Sequence, residues 1–497
     1  MKSLVKFALL LAVIGSAMIQ AQISRFQHII VVFQENRTPD NLFFALCANF
    51  PCSTNPNSSQ YNIQTANWLD KTSPTGFTQP TGVELANGYD LDHSHSAWSK
   101  QCDPNTLALP QCRMDGAAAT RINRGAFVFV NNTVSTKHPE GILAPYLTLA
   151  TQYGWANFMF QTNEGPSFPA HQYIFGGTSA LSRSDDQAGR FISENFKEGL
   201  AGCYAQNGET TVGVDSTGRE TVFTINYALG NEVCVKKTDR ITMRDLLEAQ
   251  GVGWKYYSTK GGGADKGGSI WTAPNAIDAI CQPDVNHQNC TGLEWANHVD
   301  LNPAHVLTAL TPGTNGCSLQ GVSWVIPDGA NSDHPGGNSG GPDWVASIVN
   351  ALGDSTCTDT VDGQHLTYWQ DTAVVITWDD WGGFYDHASP TILPPNEGAY
   401  QLGFRVPLIF VSAYTPVGYI DNARHDFGSV LRFVEHNFGI REGQLGFADS
   451  RGSMPLNDLT AFYNLNNLPR KFVSIPTSKT VLDFLNDKTP PTDPDDD

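Results

Sequence analysis

Two acidic clusters at the ends of apolar runs carry most of the chemistry that this sequence offers. The run Val374-Val375-Ile376-Thr377-Trp378 stops at Asp379-Asp380 and continues through Trp381-Gly382-Gly383-Phe384-Tyr385-Asp386-His387. Near the other end of the chain, His28-Ile29-Ile30-Val31-Val32-Phe33 stops at Gln34-Glu35-Asn36-Arg37. Glu35, Asn36, Asp379 and Asp380 present only oxygen donors, a set that suits a hard or borderline divalent cation. Mg²⁺, Ca²⁺, Mn²⁺ and Zn²⁺ all qualify, and the donors alone do not choose among them. Taken by itself, Asp379-Asp380 reads equally as a helix cap or a solvated turn.

A nucleophile is offered by Gly165-Pro166-Ser167-Phe168-Pro169-Ala170-His171. Pro169 fits an early helical turn, which puts Ser167 at or near the positive end of a helix. There a metal can ionise its hydroxyl and present it to a phosphorus atom. The competing reading is that Ser167 merely caps that helix. Histidine stands beside acid in Asp92-His93-Ser94-His95 and in Asp333-His334-Pro335. Imidazoles so placed can donate to phosphoryl oxygens or protonate a leaving alkoxide. His387 and His425, beside Asp386 and Asp426, read equally well as structural, while His95 and His171 take no assigned role.

Residues so far apart need a rigid frame to meet. The β-branched runs read as strands buried on both faces, and in open α/β sheets ligands sit beyond the carboxyl ends of such strands. Helical patterns cover 141–160, the stretch after Ser167, 243–250, 344–352 and 429–438, with further strands at 253–257 and 405–411. This alternation predicts a three-layer α/β/α fold around a mostly parallel sheet. Loop-rich insertions form a cap over it.

The chain of 497 residues is long enough for a large core. Residues 1–21 carry Lys2, Lys6, a short apolar run and small residues, the layout of a secretory signal. The catalytic domain is expected over 22–480, and a disordered acidic tail over 488–497. The expected location is secreted or periplasmic. The apolar run is too short to span a bilayer, so no stable membrane insertion is expected after signal removal. Ten cysteines suit an oxidising compartment, with Cys47/Cys52, Cys102/Cys112 and Cys281/Cys290 as local staples. A net charge of −19 without a basic stripe argues against nucleic acid as a partner. A phosphate substrate remains compatible, because a bound cation reverses the local field.

Taken together, these segments resemble the phosphoesterase family that contains bacterial and plant phospholipases C and some bacterial acid phosphatases. The matching pieces are Glu35-Asn36-Arg37-Thr38-Pro39-Asp40, Asp92-His93-Ser94, Met114-Asp115-Gly116, Ser167-Phe168-Pro169, Asp333-His334-Pro335 and the block from Thr377 to His387. The resemblance implies an alkaline-phosphatase-like fold and a metal held by Glu35, Asn36, Asp379, Asp380 and Ser167. It also implies attack by Ser167 on phosphorus through a phosphoseryl intermediate, with His93 and His334 around the phosphoryl group. The implied partner is a phosphate ester, phospholipids included. Thr38 and Pro39 depart from the Ser and Phe of many members. A sulfatase-like hydrolase is one alternative, since Ser167-x-Pro169-x-His171 approaches the Cys/Ser-x-Pro-x-Arg pattern with His171 in place of Arg. A catalytically silent exported binding protein, clamped by its metal, is another.

Overall fold

The apolar run at the start of the chain becomes β1 (His28–Gln34), every residue of which is buried. The computed structural model describes residues 23–491, apart from 88, 105–110, 120–124, 198–199, 237, 261–267, 337–338, 394–397 and 453. The expected signal over 1–21, the Gly261–Gly263 run and residues 492–497 of the expected tail lie outside the described residues.

Seven more strands join β1 in one sheet: β2 (Gly154–Met159), β3 (Trp254–Tyr257), β4 (Val299–Asp300), β5 (Val322–Val325), β6 (Thr372–Trp378), β7 (Leu408–Ser412) and β8 (Tyr419–His425). Their spatial order is β4-β3-β5-β1-β6-β7-β2-β8. Only β7 runs antiparallel to its neighbours. The sheet is therefore mostly parallel, as expected.

Register fixes the working end. Gln34 pairs with Trp378 at the last rung between β1 and β6, so Glu35 and Asp379 leave the sheet side by side. Alternation sends neighbouring residues to opposite faces. Phe33 meets the rings of His171 and Phe427 at 4.8 and 5.1 Å. Trp378 faces the other way, onto Tyr146 at 5.3 Å. The helix Ser167–Gly176 and the helix Phe427–Phe438 thus pack together on one face. Ala144–Gln152 and Gly341–Gly353 pack together on the other. Three layers result.

The helical pattern over 141–160 is corrected by the structure. The helix ends at Gln152, Tyr153 is extended, and β2 follows. All of β2 is buried, so its sequence carries no period-2 signal, and its strand neighbours decide its conformation. Gly154 is needed there because a Cβ would lie 2.5 Å from the Phe462 ring. The strand expected from Arg405 begins at Leu408, after Pro407, which has no N–H for the ladder.

All ten cysteines pair: Cys47–Cys52, Cys102–Cys112, Cys203–Cys234, Cys281–Cys290 and Cys317–Cys357. The three short pairs are those the spacing suggested. A small antiparallel sheet of Phe191–Ile192, Thr210–Val214 and Glu220–Thr224 occupies one of the loop-rich insertions. Among the described residues no helix is long and apolar enough to cross a membrane.

Candidate active site

Beyond β1 the chain must turn at once to keep Glu35 and Asn36 beside β6. Asn36 does so with φ 58°, in the left-handed region that Asn tolerates better than most residues. Its N–H then donates to Asp379 Oδ1 at 2.9 Å, and Arg37 N–H donates to the Asp380 carbonyl at 3.0 Å. The second chain turns equally tightly. Asp380 N–H donates to Asp379 Oδ1 at 2.6 Å, and Gly382 N–H to Asp380 Oδ1 at 2.7 Å. Gly382 has φ 60°, and a Cβ there would stand 2.5 Å from the Asn36 carbonyl oxygen. The two loops are locked together by backbone contacts that no side chain could enter.

Ser167 is the first residue of its helix, and Pro166 occupies the cap position. The capping alternative for Ser167 is thereby removed. Its hydroxyl lies 3.2 Å from Glu35 Oε2 and 3.5 Å from Asp380 Oδ2, all three side chains being buried. One turn later, His171 Nε2 lies 3.1 Å from Glu35 Oε1. Tyr256 donates its hydroxyl proton to the Trp271 carbonyl at 3.0 Å, which leaves the Tyr256 oxygen to accept from His171 Nδ1–H at 3.4 Å. That tautomer turns the Nε2 lone pair toward Glu35. Burial holds the imidazole down at about 3, so it is neutral at ordinary pH.

The site carries more negative charge than its own donors relieve. Burial, reinforced by the charges of Asp379 and Asp380, holds the Glu35 carboxyl well above the usual carboxylate range. Burial also pushes Asp379 up, but the Glu35 carboxyl that faces it and the Asn36 N–H on its Oδ1 outweigh that and hold Asp379 low. Asn36 Oδ1 and Asp379 Oδ2 are buried without a hydrogen-bond partner among the described residues. Orphaned oxygens beside crowded carboxylates are what a divalent cation would satisfy. Single ligand atoms of Glu35, His171 and Asp379 lie within 4.8 Å of one another. The residues present therefore fit a metal ion, and His171 joins the oxygen donors that the sequence offered. Spacing held the signal for it, since His171 stands four residues after Ser167 and so shares its helix face.

The remaining candidates divide. His93 Nδ1 donates to the Leu91 carbonyl at 2.6 Å, which directs Nε2 toward Asn36 Nδ2 at 3.5 Å and Asp380 Oδ2 at 3.9 Å. His93 thus belongs to the cluster. His334 is buried, with Nδ1 on the Pro335 carbonyl at 2.8 Å and its ring 6.0 Å from that of Trp271. Trp271 in turn stacks 6.5 Å from His171. The acid beside it faces elsewhere: Asp333 Oδ2 accepts from Tyr146 and Trp378 at 2.7 and 2.9 Å. Burial pushes Asp333 up to about 6. Arg37 ties that segment to the site through its Nε donation to the Asp333 carbonyl at 2.8 Å.

His387 and His425 are framework. His387 Nδ1 meets Asp40 Oδ2 at 2.7 Å within a buried network that includes Asp386 and Arg405. His425 Nε2 meets Asp421 at 2.7 Å. His95 has its backbone N–H on Glu194 at 2.8 Å and its ring between Glu164, 3.6 Å from Nδ1, and Glu220 of the small antiparallel sheet, 4.0 Å from Nε2.

A family model described as "Phosphoesterase family" matches residues 26–441. Among curated proteins, the chain is 22% identical to the hemolytic phospholipase C of Pseudomonas aeruginosa over 463 residues, covering 84% of this chain and 53% of that protein. It is 27% identical to phospholipase C A of Mycobacterium tuberculosis over 229 residues, 40% of this chain and 39% of the other. It is 33% identical to non-specific phospholipase C6 of Arabidopsis thaliana over 142 residues, 24% of this chain and 25% of the other. The chain spans about half the length, or less, of these relatives. Among solved structures, a Vibrio parahaemolyticus protein of the alkaline phosphatase superfamily is similar at a TM-score of 0.31 and 12% identity, covering 64% of each chain. That likeness is loose, and the fold described above stands on the chain's own sheet.

Proposed function

The chain belongs to the Phosphoesterase family, and from that premise we propose that it is an exported, metal-dependent hydrolase of phosphoric ester bonds that works through Ser167. The observation that carries this reading is the Ser167 hydroxyl, 3.2 Å from Glu35 and 3.5 Å from Asp380 at the first residue of a helix. Glu35, Asn36, Asp379, Asp380 and Ser167 would hold the metal, with His171 adjoining them. A divalent cation there supplies Lewis-acid charge stabilisation and favours the ionised serine.

In the proposed reaction the Ser167 Oγ–P bond forms as the bond from phosphorus to the leaving oxygen breaks. The leaving alkoxide takes a proton from His93 or His334. Water then gives a proton back to that histidine as it attacks phosphorus, and the Oγ–P bond breaks to free the phosphorylated product and the Ser167 oxygen, ionised as it began. The helix N-terminus favours the anionic phosphoryl group beside Ser167. His93 is supported as the proton carrier by its orientation: with Nδ1–H on the Leu91 carbonyl, its imidazolium form would carry the transferable proton on Nε2, which is aimed into the cluster. The relatives named as phospholipases C make a phospholipid the first substrate to try, and an aryl phosphate monoester the second. Five disulfides fit an oxidising, extracytoplasmic location.

The sulfatase alternative loses support at His171. That residue is buried against Glu35 and Tyr256 and neutral, whereas the sulfatase pattern has an arginine there. The test is a metal-replete preparation assayed on phosphatidylcholine, an aryl phosphate and an aryl sulfate, with Ser167→Ala alongside. Phosphate-ester cleavage that disappears in Ser167→Ala, with a phosphopeptide containing Ser167 trapped in the unmutated chain, is the expected result. Activity on the sulfate alone, or none on any substrate, would overturn the reading.

A further inference from the structure

A second group of donors lies at the opposite end of β1. His28 opens that strand, and seven residues at about 3.3 Å each separate it from Glu35 by roughly 20 Å. Asp371 immediately precedes β6, whose first residue Thr372 pairs with His28. Asp359 reaches the same place from the hairpin Thr358–Val361/Gln364–Thr367, whose base is anchored by the Cys317–Cys357 disulfide. Three separate segments thus converge, and single ligand atoms of His28, Asp359 and Asp371 lie within 4.8 Å of one another.

The imidazole is oriented as a metal ligand would be. The Gln320 carbonyl, 2.9 Å from His28 Nδ1, can only accept, so Nδ1 carries the proton. Nε2 then faces Asp359 Oδ2, only 2.6 Å away. A contact that short holds either a proton between the two atoms or a cation beside them. A backbone carbonyl on the far nitrogen is the usual outer support of a ligating histidine. The ring is also held edge-on by Tyr368 at 4.9 Å.

Asp371 supplies the second, independent sign. It is fully buried, and among the described residues its Oδ2 has no hydrogen-bond partner while its Oδ1 receives the Thr372 hydroxyl at 3.4 Å. Its carboxyl faces that of Asp359. A fully buried carboxylate oxygen beside a second carboxylate needs a proton or a cation. Asp359 is partly exposed and leaves the group open to ions from solvent.

We propose that His28 Nε2, Asp359 and Asp371 form a cation site of the zinc class, away from the Ser167 end of the sheet, which clamps the 358–367 hairpin to the first turn of β1 and β6. One nitrogen and two carboxylates suit a borderline divalent ion better than Ca²⁺ or Mg²⁺, which take oxygen ligands. The site does not depend on the reaction proposed above.

The experiment uses the full chain, stripped with chelator and titrated with ZnCl₂ by calorimetry, with thermal unfolding read in parallel. The background variant Asp379→Asn/Asp380→Asn removes carboxylates at the Ser167 end. In that background we expect one equivalent of Zn²⁺ to bind and Tm to rise. Adding His28→Gln, or separately Asp359→Asn, should weaken that binding by about 100-fold or more and cancel the rise in Tm. No binding in the background, or binding that survives either addition, would overturn the site and leave a shared proton as the tie between the two carboxyls. Should His28→Gln fail to fold by circular dichroism, the partly exposed Asp359→Asn decides alone.

Discussion

Ser167 and His171 stand one helical turn apart and grip the two oxygens of the same carboxylate, Oγ at 3.2 Å from Glu35 Oε2 and Nε2 at 3.1 Å from Oε1. The helix that carries the proposed nucleophile therefore also sets the position of a proposed metal ligand. His171→Gln keeps a polar group at the position but loses the fixed imidazole lone pair. We expect metal affinity to fall on the order of 10–100-fold, read by competition with a chromogenic chelator. Turnover should recover at high metal concentration. Unchanged affinity would show that His171 only packs.

Ser167→Ala removes the hydroxyl and little else, since Pro166 rather than Ser167 caps the helix. Turnover should drop by at least about 1,000-fold, while Tm moves little. A variant that retained a tenth of the activity would exclude covalent catalysis by this residue.

Gly382→Ala tests whether the two loops must touch. The substitution strains a positive φ and drives a Cβ into the Asn36 carbonyl. The expected cost is about 1–3 kcal/mol in stability, with activity down more than about 10-fold because a misplacement of an ångström suffices. Denaturant melts and initial rates on one preparation check both.

Glu435 gives a pH dependence remote from the site. It is fully buried on the helix Phe427–Phe438, and burial, together with the facing Asp449, pushes it up to about 9. Between its ordinary value and that one, the folded protein holds a proton that the unfolded chain has released. Stability from this group is complete in acid and is lost as pH rises toward 9. Glu435→Gln should therefore be more stable than the parent by about 2 kcal/mol at pH 7, with the gap closing toward pH 4.5. Equal Tm values for the two proteins from pH 5 to pH 9 would contradict this.

How much of this was legible in the sequence depends on the physics each feature uses. The runs ending at Gln34 and Trp378 announced themselves through uninterrupted apolar, β-branched residues, and both are central strands. That Glu35 and Asp379 emerge together follows from the Gln34–Trp378 register, which is a pairing between distant segments and leaves no local trace. Residues 154–159 looked helical because a strand buried on both faces shows no alternation. Asp333 stands beside His334 in sequence, yet it turns to Tyr146 and Trp378. Neighbours in sequence say little about where side chains point. His171 was missed for a different reason: its four-residue spacing from Ser167 was visible, but only the fold shows that Glu35 waits beneath both.

The place of β1 in the sheet has a bearing on the order of assembly. Its neighbours on either side begin at Val322 and Thr372, so Ile29 finds its partner nearly three hundred residues later. A growing chain carries this greasy ribbon unpaired through most of synthesis, and contacts of such long sequence separation form slowly. The centre of the sheet therefore closes only after Val322 and Thr372 have been made.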